Sequence, residues 1–326
     1  MQPVNDAAPS RGRLIAAFAA VYILWGSTYV AIKFAVETLP PFTMAGVRFV
    51  TAGIILLAWT QLRGEGGATL RQWRSAAIAG ALMMMASNGL VCWAEKRVDS
   101  SLAALLVATV PLWMMTLDWA RRGGSRPSAA TLTGVIVGLV GVAILVWPEE
   151  GRVQLDFAGV AALLVATLCW SIGSIYTRSA DLPKSMIRAT AMQMTCGGVL
   201  QFALGTALGE LQTFEPDLVT AKSVWSLAYL LVAGSLVGFT AYIWLLRNTT
   251  AARAATYAYV NPIVAVILGA WLASEEITWR RLVGAGVVLL GVVLSLTASA
   301  SSRARLATQP LPPDPPPTPA ADSRRA

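Results

Sequence analysis

A stripe of two aromatic rings and a cation lies near the start of the chain. Residues 24–33 read LWGSTYVAIK, and Trp25, Tyr29 and Lys33 are four residues apart, so they share one face of a helix. Aromatic rings give a solute apolar contact, and an ammonium group pairs with a carboxylate. The stripe could therefore line a binding cavity. The alternative is that the rings pack between helices and Lys33 extends its ammonium to water.

The same stripe recurs 145 residues later in the chain. Residues 169–178 read CWSIGSIYTR, in which Trp170, Ser174 and Arg178 have the same spacing. Arg178 could also be a charge at the edge of a loop. We predict that the two stripes face one shared cavity, with helix packing as the alternative for each of them.

Arg48 lies deeper in an apolar run than either of these cations. It is about seven residues into its run, which corresponds to roughly 10 Å along a helix. If the run crosses a membrane, a charged residue at that depth is costly and is by default a functional candidate. It could pair with Glu37 or with the carboxylate of a solute, or extend outward as a structural anchor. We expect it to line the cavity.

The residue types give little support to catalysis. The chain has no histidine, which excludes Ser-His-Asp triads and histidine-based zinc sites. Its cysteines, Cys92, Cys169 and Cys196, lie within apolar runs, and no phosphate-binding glycine loop is present. No acidic residue lies in the middle of an apolar run, and Glu95 and Asp118 lie at the ends of their runs. The sequence therefore gives no candidate carboxylate for proton coupling or for intramembrane proteolysis. We predict no catalytic residue, no metal site and no cofactor.

Long apolar runs must position these side chains. Of 326 residues, 56% are hydrophobic and 13% are charged, and the mean hydropathy is +0.61, far above that of a soluble domain. About 20 apolar residues suffice to cross a bilayer. The sequence therefore predicts an all-α polytopic membrane protein with ten transmembrane helices. The runs cover residues 14–36, 42–61, 75–95, 100–120, 128–147, 157–178, 186–208, 225–246, 252–273 and 281–298.

The distribution of lysine and arginine predicts the orientation. If the N-terminus is cytoplasmic, sixteen of these residues fall on the cytoplasmic side and six on the outer side, and the three within or at the edge of helices are left out. We therefore predict a multi-pass protein of the cytoplasmic (inner) membrane with both termini in the cytoplasm. The net charge of +8 mostly records this bias, so no nucleic-acid partner is expected.

Polar segments flank the runs. Residues 1–12 form a short cytoplasmic segment, and the run that follows is too long for the apolar part of a cleaved signal peptide. Residues 301–326 contain seven prolines and no apolar periodicity, which predicts a disordered cytoplasmic tail. The tail could also bind a partner.

The recurrence extends along the chain and indicates a tandem duplication. Gln193 lies 145 residues after Arg48, at the corresponding position of the second half. In each half a tryptophan is followed 18 residues later by a proline, and these two pairs lie 151 residues apart. The predicted repeats are residues 13–150 and 151–300. Each holds five runs, and because five is odd, the second repeat enters the membrane inverted. Inverted repeats are typical of transporters, with the substrate site near the midplane.

Two prolines lie near the middle of their runs at matching depth. Pro111 and Pro262 each remove one helical hydrogen bond and free the carbonyl four residues earlier, of Val107 and Ala258. We predict that these helix breaks line the cavity, and the alternative is that they only bend the helices.

Glycines in the last run of each repeat predict close helix packing. They are Gly134, Gly138, Gly141, Gly284, Gly286 and Gly291.

Four segments carry a family resemblance. They are WGSTYVAIK at 25–33, PPFTMAGVRF at 40–49, WAEKRVDSSLAALLVATVPLW at 93–113 and YAYVNPIVAVILGAWLASEEIT at 257–278. In combination they resemble the ten-helix EamA-type branch of the drug/metabolite transporter (DMT) superfamily, over about residues 12–298. The resemblance implies small-molecule export across the cytoplasmic membrane by alternating access. It also implies that the first four helices of each half enclose the cavity and that the fifth and tenth helices are peripheral.

We therefore predict a secondary transporter that exports amino acids or related small metabolites. The alternatives are a bidirectional or uptake facilitator of the same fold and a non-transporting receptor or assembly protein. The expected partners are a small-molecule substrate and the lipid bilayer, and a homodimer is left open. The predicted cavity residues are Trp25, Tyr29, Lys33, Arg48, Trp113, Trp170, Gln193, Tyr259 and Asn261.

Overall fold

The structure, a computed structural model, describes residues 10–120, 129–146, 156–248 and 257–307, and every regular element in these ranges is helical. Nearly all of the predicted N-terminal segment and most of the junction at 148–156 lie outside the described residues. The helices are α1 (Arg11–Ala35), α2 (Pro41–Leu62), α3 (Leu70–Ala94), α4a (Ser100–Val107), α4b (Val110–Ala120), α5 (Ala129–Val146), α6 (Phe157–Ser179), α7 (Met186–Ala207), α8 (221–248), α9 (Tyr257–Leu272) and α10 (Trp279–Ala307).

The last helix differs from its predicted bounds. α10 continues to Ala307, seven residues into the segment predicted as a disordered tail. The remainder of that segment, residues 308–326, lies outside the described residues.

Local sequence explains where several helices begin. Thr69 and Gln72 form a capping box at the start of α3, with reciprocal N–H···O distances of 3.2 and 3.1 Å. Asp156 caps α6 by accepting from the Gly159 N–H at 2.9 Å. Pro41 opens α2, where a helix has no use for the N–H that proline lacks.

Many of the helices are apolar enough for lipid. Among the described residues, α1, α2, α3, α6 and most of α8 are long and apolar enough to cross a membrane, and shorter apolar stretches lie in α4, α5 and α9. Arg188, Gln193 and Gln201 interrupt α7, but all three are buried within the protein. The described part of the chain is therefore all-helical, as expected of a polytopic membrane protein.

Three helices contain π-helical turns, whose backbone hydrogen bonds span five residues instead of four. They occupy Val21–Trp25 in α1, Ala81–Asn88 in α3 and Leu230–Gly238 in α8. At the offset of 151, the turn in α3 falls on residues 232–239, so it nearly coincides with the turn in α8. Such turns are frequent at functional sites.

α2 and α7 pack antiparallel through glycines that let their backbones approach. A Cβ added to Gly46 would lie 2.6 Å from the backbone nitrogen of Phe202, and one added to Gly53 would lie 2.7 Å from that of Thr195. Gly198 on α7 faces α2 in the same way. Because α2 and α7 are the second helices of the two predicted repeats, this contact joins corresponding elements.

α5 and α10 pack against each other in a similar manner. A Cβ on Gly291 would clash with the backbone nitrogen of Gly138, and one on Gly141 would lie 2.5 Å from that of Val288. A Cβ on Gly138 would also lie 2.5 Å from the side chain of Leu112 on α4b. These helices are the fifth and last of the chain, and they pair at the edge of the bundle.

The three remaining predicted packing glycines, Gly134, Gly284 and Gly286, differ in their surroundings. Gly134 and Gly284 are buried, and the Gly134 carbonyl lies 2.6 Å from a Cβ added to Gly291. For Gly286 the prediction was wrong, since the residue is exposed and no described atom would lie within 4 Å of its Cβ. Gly286 lies on the face of α10 that points away from α5.

Two turn residues, Ala108 and Thr109, interrupt the regular helix just before Pro111. α4a ends at Val107 and α4b begins at Val110, so Pro111 lies in the first turn of a new helix, where its missing N–H is tolerated. The hydroxyl of Thr109 donates to the Leu106 carbonyl at 2.6 Å, and not to that of Val107. Pro262, in contrast, lies inside α9.

Candidate functional site

A cavity lies between the helices of the two predicted repeats. It offers about 90 Å³ to the centres of water-sized molecules, enough for several waters or part of a small solute. Its walls come from α1, α2, α3 and α4 of the first repeat and from α6, α8 and α9 of the second. The described lining contains no residue of α5, α7 or α10.

Aromatic rings form one wall of the cavity. Trp25 packs edge to face on Trp170 and Tyr257, with ring centroids 6.4 and 5.2 Å apart, and on Phe239 at 5.1 Å. Its indole N–H donates to the carbonyl of Gly234 at 3.2 Å, within the π-helical turn of α8. Trp25 therefore ties the first helix to three helices of the second repeat.

Arg48 brings a positive charge to the cavity and is 4% exposed. Its Nε–H donates to Ser235 Oγ at 3.0 Å, and its guanidinium carbon lies 4.3 Å from the centre of the Phe49 ring. Nη1 has no hydrogen-bond partner among the described residues. Glu37, the partner considered from sequence, binds Lys222 at 2.5 Å instead. A buried cationic N–H without a partner is costly, so this position favours an acceptor on a solute.

Asn261 contributes polarity where α9 meets α1. In the orientation that satisfies its hydrogen bonds, its amide nitrogen donates to the carbonyls of Tyr257 and Tyr22, each at 3.2 Å. The Tyr22 carbonyl lies in the π-helical turn of α1. Asn261 directly precedes Pro262, so polar lining and helix distortion coincide. The other polar residues of the lining are Thr28, Ser87, Asn88 and Thr167.

The structure places part of the predicted set around the cavity. The predicted residues in the lining are Trp25, Tyr29, Arg48, Trp170 and Asn261. Two others do not belong to it. Trp113 lies one turn beyond the lining residue Val110. Gln193 is buried on α7, and its backbone carbonyl packs closely against Gly80 of α3. The side chain of Tyr259 lies outside the described residues.

Lys33 also lies outside the cavity, at the end of α1. Its ammonium donates to the Val98 carbonyl at 3.0 Å and lies 3.6 Å from Asp99, which also binds Arg281. Eight residues along a helix span about 12 Å. The stripe therefore begins in the cavity at Trp25 and ends at the helix terminus.

Two carboxylates close the end of the bundle where α1, α3, α7 and α9 finish. Glu210 caps α2 and Glu275 caps α4a, at N···O distances from 2.7 to 3.1 Å, where the helix dipole favours negative charge. Each carboxylate belongs to the second repeat and each capped helix to the first. The donors are the N–H groups of Phe42 and Thr43 for Glu210, and of Ser100 and Ser101 for Glu275. We call this end, formed by residues 36–40, 95–99, 208–220 and 273–278, the latched end.

Sequence reasoning missed several of these residues. Ser87 and Asn88 are polar residues within an apolar run, which was an available signal. Gly209 precedes Glu210 and has a φ of 80°, and a glycine after a helical run is a usual helix ending. Ser274 has a φ of 52°. Its identity gives no such signal.

Comparison with known proteins identifies the family. The model of the EamA-like transporter family matches residues 12–147 and 157–297 of the chain. The chain belongs to the EamA-like transporter family. The family domain occurs twice, and the two matched regions correspond to the two halves of the helical bundle.

Curated relatives of this EamA chain match nearly its whole length. It is 39% identical over 282 residues to the "Uncharacterized inner membrane transporter YedA" of Escherichia coli (strain K12), which covers 86% of this chain and 90% of that protein. It is 24% identical over 277 residues to the "Uncharacterized transporter YoaV" of Bacillus subtilis (strain 168), which covers 84% of this chain and 94% of that protein. The relatives are named as transporters.

A solved structure described as "Crystal structure of protein" shares the fold. It superposes with a TM-score of 0.62 at 19% identity and covers 89% of this chain and all of that one. This likeness concerns the fold alone, and the family match confirms the resemblance drawn from the sequence. The EamA chain is a membrane-embedded transporter and not an enzyme.

Proposed function

We propose that this EamA-family protein is a secondary transporter that exports amino acids or related small metabolites by alternating access. The observation that carries the proposal is a cavity between the two repeats in which an aromatic wall lies near a buried guanidinium with an unpartnered Nη1. Rings suit an apolar side chain, and a guanidinium suits a carboxylate. The two features together match a small amphipathic acid.

The proposal includes ten membrane spans in two inverted repeats, with both termini in the cytoplasm. The antiparallel pairing of α2 with α7 and of α5 with α10 supports it, because each pair joins corresponding helices of the two halves. The nearly matching π-helical turns of α3 and α8 support it as well. An inverted repeat gives a transporter two related conformations that open on opposite sides.

Counterflow into proteoliposomes tests the function. Purified protein is reconstituted, the vesicles are loaded with one unlabelled amino acid at a time, and entry of the same labelled amino acid is followed. We expect saturable exchange of at least one amino acid, absent from protein-free vesicles. No exchange across amino acids, organic acids and neutral metabolites would favour the receptor or assembly alternative.

Direction is tested separately, because alternating access runs whichever way the gradients point. Everted and right-side-out membrane vesicles containing the protein are compared for accumulation of the exchanged solute. Export predicts energised accumulation in everted vesicles only. Accumulation in right-side-out vesicles would support the uptake alternative, and equal equilibration without accumulation would support a facilitator.

A further inference from the structure

Glu95 is a buried carboxyl just beyond the cavity. It follows α3, one turn after the lining residue Val91, whose carbonyl accepts the Glu95 N–H at 3.0 Å. The residue is 1% exposed, and neither carboxyl oxygen has a hydrogen-bond partner among the described residues. Its charged form is therefore poorly stabilised while the latched end is closed.

Neighbouring groups do not compensate for this burial. The positive charge of Lys33 on α1 attracts the Glu95 carboxylate. Its ammonium, however, donates a hydrogen bond to the Val98 carbonyl and pairs with Asp99. Glu275, after α9, is occupied as the cap of α4a, and Tyr29 of α1 and Cys92 of α3 are neutral groups. Burial raises the pKa of the Glu95 carboxyl well above its usual range and outweighs the opposing effects of the Lys33 charge and the Lys33 backbone N–H, while the charge of Glu275 raises the pKa further.

We propose that Glu95 is the binding site for a coupling proton, occupied while the latched end is closed and vacated to solvent when that end opens. The proposal rests on the proposed transport function. Opening would hydrate the carboxylate, so the open state holds the proton less tightly than the closed state. A group whose pKa is higher in the closed state favours that state at low pH, and this preference is lost as the pH rises through the closed-state pKa.

The pH dependence of cavity access tests this without a solute. Ser87, which lines the cavity, is replaced by cysteine in a full-length protein whose native cysteines are changed to alanine. A membrane-impermeant thiol reagent is applied from the latched end. The labelling rate is divided by that of Gln212→Cys, an exposed residue of the latched end, which corrects for thiol ionisation.

We expect the corrected rate to rise with pH, by at most about tenfold per pH unit for one proton. Glu95→Gln should remove this dependence, and Glu215→Gln, an exposed carboxyl in the same loops, should keep it. A rise that survives in Glu95→Gln, or no rise in the parent protein, overturns the proposal. Melting temperatures of both variants show whether each is folded, and Glu95→Asp should restore the dependence if Glu95→Gln is unstable.

Counterflow measurements distinguish a failure of the proton-site proposal from a failure of the proposed transport function. If an amino acid is exchanged, Glu95→Gln should keep exchange but lose accumulation driven by a pH gradient. Unchanged accumulation would overturn the proton site and leave transport intact. If no solute is exchanged by the parent protein, the transport function fails, and the labelling profile alone then decides whether Glu95 controls access.

A second inference rests on a different observation, a helix ending that occurs once in each repeat. Gly64 and Gly209 have φ values of 73° and 80°, lie 145 residues apart, and each precedes a glutamate. The Glu65 N–H donates to Thr60 O at 3.1 Å, and the Glu210 N–H donates to Gly205 O at 3.0 Å. The two endings therefore have the same backbone hydrogen bond at opposite ends of the bundle.

Their side chains differ in what they bind. The Glu210 carboxylate caps α2, whereas Glu65 Oε2 is buried without a partner among the described residues. At the duplication offset, the amides corresponding to Phe42 and Thr43 are those of Ile187 and Arg188 at the start of α7. Arg188 already contacts the helix ending at Gly64 and Glu65, since its Nη1 donates to the backbone carbonyl of Glu65 at 2.7 Å.

We infer that Glu65 and Glu210 are alternating latches. When the latched end opens, Glu210 releases α2, and the Glu65 carboxylate caps α7 at the opposite end through the N–H groups of Ile187 and Arg188. There it replaces Ser185 Oγ, which accepts from the Arg188 N–H at 3.3 Å in this structure. Each carboxylate stabilises one of the two conformations, so removal of its charge should shift the equilibrium toward the other.

Opposite effects of the two charge removals test the latches. With the Ser87→Cys labelling assay at fixed pH, Glu210→Gln should raise the corrected rate from the latched end by about tenfold, the effect of losing one charge-assisted hydrogen bond. Glu65→Gln should lower it, and Glu215→Gln should leave it unchanged. Changes of the same sign in the first two variants, or no change in either, would mean that these carboxylates only stabilise the fold.

Discussion

At the residue scale, the chemistry of the cavity depends on how Arg48 is held. The Nε–H to Ser235 bond and the stacking on Phe49 fix the plane of the guanidinium, and Nη1 is left without a described partner. A planar guanidinium presents paired donors that match a carboxylate, whereas an ammonium on a flexible stem does not. Arg48 can therefore select solutes by charge and by geometry.

We expect Arg48→Gln to lower exchange of carboxylate-bearing solutes by about tenfold or more, the effect of losing a charge-assisted hydrogen bond, and to leave neutral solutes nearly unchanged. Arg48→Lys should recover part of the loss. Counterflow with matched pairs, an amino acid and its amide, measures the difference. Equal loss for both members of a pair would assign Arg48 to structure and remove the main support for an anionic substrate.

The sequence predicted residues such as Trp25 and Arg48 because an intramembrane charge and a repeated aromatic stripe are visible without a fold. It left open whether Lys33 lines the cavity or extends outward, because that depends on where α1 ends relative to Val98 and Asp99. It did not predict that Gln193, at the position corresponding to Arg48, is absent from the described cavity lining. The backbone of α7 at Gln193 and Gly197 packs closely against Gly80 of α3, which is a tertiary contact that the sequence does not display.

At the element scale, α5 and α10 form a pair that takes no part in the described cavity lining. Their contact requires the absence of side chains, since a Cβ on Gly291 would meet the backbone of α5. The opposite face of α10, at Gly286, is open to its surroundings. The same helix therefore offers a sensitive position and a tolerant one.

We expect Gly291→Leu to destabilise the protein by about 1–3 kcal/mol through overpacking, or to separate the two helices. Gly138→Leu should cost less, because Leu112 is a flexible neighbour that can move. Gly286→Leu is the matched control and should have little effect. Thermal unfolding in detergent measures all three, and a change in solute selectivity without a loss of stability would contradict a packing role for Gly291 and Gly138.

Helix positions followed from apolar runs, but helix distortions did not. The proline at residue 111 predicted an irregularity, and the structure has two turn residues, Ala108 and Thr109, directly before it. The π-helical turns had no sequence signal, since Ala81–Asn88 and Leu230–Gly238 consist mostly of ordinary apolar residues. Such turns arise from the packing that surrounds a helix.

At the scale of the whole molecule, both described carboxylate caps at the latched end join the second half to the first. Together with Lys222 and Glu37, they connect the halves on one side of the cavity. The all-helical fold and the family could be predicted from composition and ordered segments. The closure of the latched end could not be predicted, because it depends on long-range contacts between loops whose sequences have no distinctive pattern.

The proposed topology predicts that a reporter fused after residue 326 and one inserted at residues 148–156 lie on opposite sides of the membrane. The reason is that five spans separate the insertion from the C-terminal fusion. Alkaline phosphatase, active outside, and a green fluorescent protein, fluorescent inside, provide the measurement. Activity of the same reporter at both positions would be incompatible with inverted repeats.

The π-helical turn of α3 also bears on how relatives with other specificities could arise. A π turn holds one more residue than the α-helical turn it replaces, so one residue can be lost or gained there while the helix beyond the turn keeps its direction. Loss of one residue from Ala81–Asn88 would convert the turn to α-helix and change which of its residues, now Ser87 and Asn88, face the cavity, while Val91 and Glu95 keep their present direction. Insertions and deletions inside the membrane, usually regarded as destructive, are at this turn a means of changing which groups face the solute.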